Sequence, residues 1–165
     1  MMAQEAKASA APKGRIDGVN VKPLKVIPDQ RGRLMEVFRS DDELFEQFGQ
    51  VYITTAYPGV VKAWHYHTIQ TDNWAVVQGM ALVGLYDQRK DSPTHGHVNE
   101  FYVGVHNPIL LTIPPGVMHG FKCISEDEVI VMNVPTHVYN YESPDELRAP
   151  ARDPSIPFVW DRQDA

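Results

Sequence analysis

A single cysteine, Cys123, stands in 165 residues, so no intrachain disulfide framework holds the chain together. Set in FKCI, its thiol reads as a small buried hydrophobe and not as a nucleophile. Such scarcity fits a reducing compartment, and the cytoplasm is the expected location. No apolar run approaches the ~20 residues that cross a bilayer. The opening MMAQEAKASAAPKG also lacks the apolar stretch of a secretory leader. Basic residues are in the minority, 15 Lys and Arg against 21 Asp and Glu, for a formal net charge of -6. With no basic stripe to offer phosphates, the composition argues against a nucleic-acid partner, and no membrane partner is expected. Internal repeats are absent, as is any linker long enough to separate domains. One domain over residues 15–165 is expected, large enough to bury a core unaided, after a disordered lead-in over residues 1–14.

What is present is strand pattern. Aromatic and β-branched residues alternate with small polar ones through QVYITTAYPG, KAWHYH and NWAVVQGMALVGLYD. A loop of turn residues, RKDSPTHGH, precedes EFYVGV and ILLTIP, and EVIVMNV is a continuous apolar run of the kind buried inside a barrel. VNVKPLKVIPD reads as an edge strand broken by Pro23, which DQRG then turns into LMEVF. A helix is predicted over residues 40–49, from a capping box at Ser40 and Glu43 and a stop at Gly49. Residues 116–120 read as a turn around His119. From Pro135 a Pro-rich tail is expected to be ordered by packing Tyr139, Tyr141, Phe158 and Trp160. Many short strands with one short N-terminal helix predict an all-β, antiparallel jelly-roll barrel.

Chemistry concentrates in GVVKAWHYH, residues 59–67. If this is a strand, His65 and His67 share one face while Trp64 and Tyr66 share the other. With Gly59, Asp72 and Gly79 the two histidines fall at the spacings of the first cupin motif, G-x5-H-x-H-x4-E-x6-G, with Asp for Glu. IPPGVMHGF contains the P-x-G-x-x-H core of the second cupin motif, ending at His119. His65, His67, Asp72 and His119 make a three-histidine, one-carboxylate set suited to Fe, Mn, Ni or Zn. His95, His97, His106 and His137 read as hydrogen-bonded or surface residues, and Trp64, Tyr66 and Trp74 as core. Asn133, inside a buried run, needs hydrogen-bond partners and is a cavity-facing candidate.

Four motifs in order, DQRGRLMEVF, GVVKAWHYH, SPTHG and IPPGVMHGF, resemble those of the dTDP-4-dehydrorhamnose 3,5-epimerase family of cupins over most of the chain. The resemblance implies a homodimeric jelly roll, without cofactor, whose barrel holds a dTDP- or GDP-linked 4-keto-6-deoxyhexose. It implies proton abstraction beside the C4 ketone, which acidifies its neighbouring C–H bonds. By that likeness His65 is the base, His119 stands beside it, and Arg31 and Glu36 contact the nucleotide. Lys62 replaces a diphosphate-binding Arg, keeping charge without bidentate geometry. His67, Asn133 and Tyr139 are expected to join the substrate site.

Departures from the family pattern are as informative. A Gln two residues after the base is here His67, and a Lys that stabilises the enolate aligns with Asp72. The Tyr that serves as acid falls near Val131 or Met132, which leaves Tyr139 and Tyr141 as candidates. An Asp that pairs with the catalytic His follows the equivalent of IPFVW in the family, and this sequence ends at Ala165. Either Asp72 takes over the orienting of His65, or a divalent cation on His65, His67, Asp72 and His119 replaces the missing Lys. A sugar-binding cupin without turnover is the third reading.

Overall fold

The period-two patterns become strands, and they are short. Along the chain they are β1 (Asn20–Pro23), β2 (Val26–Asp29), β3 (Gly32–Met35), β4 (Tyr52–Ala56), β5 (Val61–Tyr66) and β6 (Asp72–Gln78). They continue with β7 (Met80–Asp87), β8 (Val98–Gly104), β9 (Ile109–Ile113), β10 (Val117–Cys123), β11 (Val129–Asn133) and β12 (Leu147–Arg148). The computed structural model describes residues 14–162, so all but the last residue of the expected lead-in lies outside the described residues. One sheet has the order β1-β9-β6-β11-β4 and the other β12-β5-β10-β7-β8, while β2 and β3 form a separate hairpin. All pairings between these strands are antiparallel, which is the expected all-β jelly roll.

The main core lies between the two sheets, where Trp74, Val76, Val129 and Val131 of one meet Val83, Leu85, Val117 and Phe121 of the other. Two outer layers explain why some strands are apolar on both faces. Met132 packs outward against Leu24, Leu110, Val37 and Phe38, so the segment after β3 covers one sheet. The tail covers the other, with Ile156, Phe158 and Trp160 laid against Trp64, Leu82 and Met118. Trp160 is buried as expected, whereas Tyr141 is 88% exposed and takes no part in that packing. Gly84 makes the cover possible: a Cβ there would stand 2.7 Å from the Phe158 ring and 2.9 Å from Trp64.

Two local expectations are corrected. No helix forms over residues 40–49, where only turns occur. Asp42 uses its carboxylate to accept from the Arg39 N–H and from Lys22 Nζ, and Phe45 N–H bonds back only three residues, to Asp42. Gly49 N–H crosses to the Pro135 carbonyl, and the Phe45 ring packs at a tilt against Phe38. A ten-residue helix is marginal by itself, and these tertiary bonds outcompete it. His119 likewise sits inside β10 and not in a turn; the turn ends at Gly116, whose φ is +81°.

Candidate active site

Strand register assembles the histidine cluster. His119 on β10 is the direct partner of His65 on β5, and their ring centroids are 4.0 Å apart. Beyond that pair the register shifts, so that Phe121 faces Lys62. Gly120 lies at the shift, and a Cβ there would meet the Ala63 Cβ at 2.3 Å, so the close approach of the two strands requires glycine. His67 follows at the end of β5 and Asp72 opens β6. Ligand atoms of His65, His67, Asp72 and His119 all lie within 4.8 Å of one another, as the two motifs require.

Hydrogen bonds give the histidines unequal roles. His119 Nδ1 meets the Val117 carbonyl at 2.9 Å and its Nε2 meets Asp72 Oδ2 at 3.0 Å. His67 Nδ1 is held by the Asp145 carbonyl, and its Nε2 faces Asp72 Oδ2 at 3.4 Å. Gln70 Nε2 donates to Asp72 Oδ1 at 2.6 Å. Asp72 therefore serves His119, His67 and Gln70; it does not orient His65. No hydrogen bond within the described residues engages either ring nitrogen of His65, which instead packs 5.9 Å from the Trp74 ring.

Charge follows from these contacts. Burial alone would raise the Asp72 carboxyl, but hydrogen bonds from His119 and His67 outweigh it and hold the group well below the ordinary carboxylate range. Burial opposes charge on His67 too, yet Asp72 and the Asp145 carbonyl raise its pKa. At His65 burial, reinforced by the charge of His119, pushes the pKa down to about 2, so this imidazole is neutral with a lone pair available.

A pH effect follows. In chelator-treated protein, unfolding below pH 6.5 lets His65 take up a proton that the native state refuses until about pH 2. Its contribution to stability is full above 6.5 and is lost as pH falls, by up to about 1.4 kcal/mol per pH unit. The raised His67 has the opposite sign, its contribution being present below 6.5 and lost as pH rises through its raised value. Urea midpoints taken from about pH 7 to about pH 4.5 should decline in the wild type and decline less steeply in His65→Gln.

The cluster opens into a cavity of about 640 Å³, within the size range of small-molecule sites. Gln50, Tyr52 and Thr54 line it at period two along β4 and its lead-in, with Lys62 and His65 on β5 and Trp74 on β6. Trp74 thus belongs to the core and to the cavity wall at once. Tyr139, Tyr141, Glu146 and Arg148 close the wall from the tail. Lys62 keeps its Nζ 3.2 Å from Thr54 Oγ1. Asn133 is fully buried behind the wall, where it finds the partners it needed: its Oδ1 accepts from Asn73 N–H and its Nδ2 donates to Tyr52 Oη at 2.9 Å.

Arg31 and Glu36 are not brought to this cavity. Arg31 pairs with Asp29 in the exposed β2–β3 hairpin, and Glu36 pairs with Arg39. SPTHG is a structural loop here: Ser92 and Thr94 hydroxyls, with Arg89, bond the buried carboxylate of Asp87. Sequence reading missed Tyr52, Gln70, Asp145 and Arg148. Asp145 accepts from the N–H groups of Thr68, Ile69 and Gln70, and so shapes the loop that aims Gln70 at Asp72. Nothing in YESPDELR separates it from a surface acid. For Tyr52 the alternation of QVYITT was the available signal, because it sets Gln50, Tyr52 and Thr54 on one face.

Facing antiparallel sheets with a buried histidine–carboxylate cluster at the inner end of a cavity define a cupin-type site. The Bacillus subtilis spore coat polysaccharide biosynthesis protein SpsL is 45% identical over 148 residues, covering 90% of this chain and 98% of its own. The probable low-salt glycan biosynthesis epimerase Agl13 of Haloferax volcanii is 45% identical over 82% of this chain and 88% of its own. A dTDP sugar isomerase from Desulfovibrio desulfuricans G20, solved by crystallography, matches with a TM-score of 0.85 and 35% identity, covering 90% of this chain and 94% of that one. This chain belongs to the dTDP-4-dehydrorhamnose 3,5-epimerase family, whose model matches residues 13–165.

Proposed function

We propose that this protein epimerises a dTDP- or GDP-linked 4-keto-6-deoxyhexose, with His65 abstracting the proton beside the ketone. One observation carries the reading: of the three clustered histidines, His65 is the one whose ring nitrogens are unengaged and neutral at the cavity wall. A neutral imidazole accepts a proton, and the C–H electron pair moves onto the C4 oxygen as an enolate. His67, whose pKa Asp72 and the Asp145 carbonyl raise, lines the same cluster and lends it positive character. Lys62 and Arg148 supply cations at the wall for a diphosphate. The reading also includes a cytoplasmic homodimer, in which the exposed β2–β3 hairpin of one subunit brings Arg31 and Glu36 to the nucleotide in the other. Proton NMR on a panel of dTDP- and GDP-linked 4-keto sugars tests the activity: inversion beside the ketone is expected, and no inversion or exchange with any of them overturns it.

A second reading rests on a separate observation. His67 and His119 both tie Nδ1 to a backbone carbonyl, leaving Nε2 aimed at Asp72, which is how metal-ligating histidines are commonly held. Fe, Mn, Ni or Zn on His65, His67, Asp72 and His119 fits this donor set, and when bound would act as a Lewis acid toward the enolate oxygen. Elemental analysis of untagged protein before and after chelation separates the readings. His65 as free base predicts substoichiometric metal and turnover unchanged by chelator; stoichiometric metal with loss on chelation and recovery on reconstitution establishes the second.

A further inference from the structure

Two strands away from Trp74, the cavity carries a proton donor that no motif marks. Tyr52 on β4, Asn133 on β11 and Trp74 on β6 are direct cross-strand partners, so their side chains share the inner face of one sheet. His65 projects from the other sheet, and Tyr52 and His65 line the same cavity from opposite sides. The direction of the Tyr52 hydrogen bond is settled by its neighbours. Asn73 N–H can only donate, so it fixes Asn133 Oδ1 as the acceptor and Nδ2 as the atom facing Tyr52 Oη. Asn133 donates there, and the phenol's own hydrogen meets no acceptor among the described residues. It is free to turn into the cavity.

We infer that Tyr52 is the catalytic acid of this site, delivering the proton that completes inversion on the face of the sugar opposite His65. The inference rests on the epimerase reading above. His65 takes the proton from one face, and the enolate forms. Its electron pair then makes a new C–H bond with the Tyr52 hydroxyl hydrogen on the other face, leaving a phenolate. That phenolate accepts from Asn133 Nδ2 and regains a proton from water, while the His65 imidazolium releases one, so no co-reactant is consumed. Burial, and the nearby Asp72 charge, raise the Tyr52 pKa to about 12, which keeps the donor protonated through neutral pH. Near the positions where the family's pattern has its Tyr, Val131 points into the apolar core between Thr54 on β4 and Val76 on β6, and Met132 packs outward against Leu24 and Leu110, so neither supplies a hydroxyl to the cavity.

Tyr52→Phe removes this hydroxyl and keeps the ring, at a residue 37% exposed, so the fold should be retained; equal melting midpoints check that. Wild type and variant are incubated with dTDP-4-keto-6-deoxyglucose in D2O, and NMR follows deuterium in recovered substrate separately from inverted product. The variant should form product about a hundredfold or more slowly, while still washing deuterium into substrate with configuration retained, because His65 can return a solvent-exchanged proton to its own face. Inversion within about threefold of wild type, or exchange and inversion lost in parallel, overturns the role of Tyr52 as acid. A wild type that shows neither exchange nor inversion with any sugar of the dTDP- and GDP-linked panel removes the epimerase reading itself, a distinguishable outcome.

Discussion

His65→Gln is expected to lower solvent exchange of the substrate's α-proton by about a thousandfold or more, with nucleotide binding retained. The size of the effect follows from how the cluster divides its work. Both nitrogens of His119 and His67 are committed, to Val117 and Asp72 in one case and to Asp145 and Asp72 in the other. Neither can accept a proton without breaking a buried hydrogen bond, so neither substitutes for His65. Glutamine occupies similar space and stays polar, but it is no base. Loss of exchange with an unchanged dissociation constant for dTDP would therefore report lost chemistry and not a collapsed site.

Asp72→Ala is expected to be the most damaging single change to stability, at about 3–5 kcal/mol, because one fully buried carboxylate accepts from three side chains. Removing it strands His119 Nε2 and leaves His67 Nε2 and Gln70 Nε2 with only each other, 3.3 Å apart. Activity falls with it by about a hundredfold or more, since the rings beside His65 lose their alignment and small misplacements are costly. Asp72→Glu restores the residue of the general cupin motif and should recover some of both losses. Urea unfolding and exchange rates measured on the pair check this, and an Asp72→Ala protein with wild-type stability would contradict the role assigned to the carboxylate.

Strand content, the edge position of Pro23 and the buried run EVIVMNV were legible because period and composition dictate them locally. The convergence of His65, His67, Asp72 and His119 was legible for a different reason: fixed offsets within two motifs encode a register. What could not be read is set by contacts distant in sequence. The helix signal at Ser40 and Glu43 yielded to bonds with Lys22 and Pro135. Asp145 acts on a loop more than seventy residues away. Tyr52 matters because β4 happens to be the neighbour of β11, a pairing that no stretch of QVYITTA reveals. Asn133 is an odd choice for a buried strand, and its bonds to Asn73 and Tyr52 explain it, behind the cavity wall and not in the lining where a cavity-facing residue is expected.

The central claim is that His65 works as a free, neutral base at this cavity. Deuterium incorporation beside the ketone of dTDP-4-keto-6-deoxyglucose, followed by NMR in chelator-treated wild type and His65→Gln, tests it most directly. The account predicts rapid incorporation by the wild type and essentially none by the variant. Incorporation by His65→Gln at the wild-type rate, or a wild type silent until a divalent metal is restored, would contradict it.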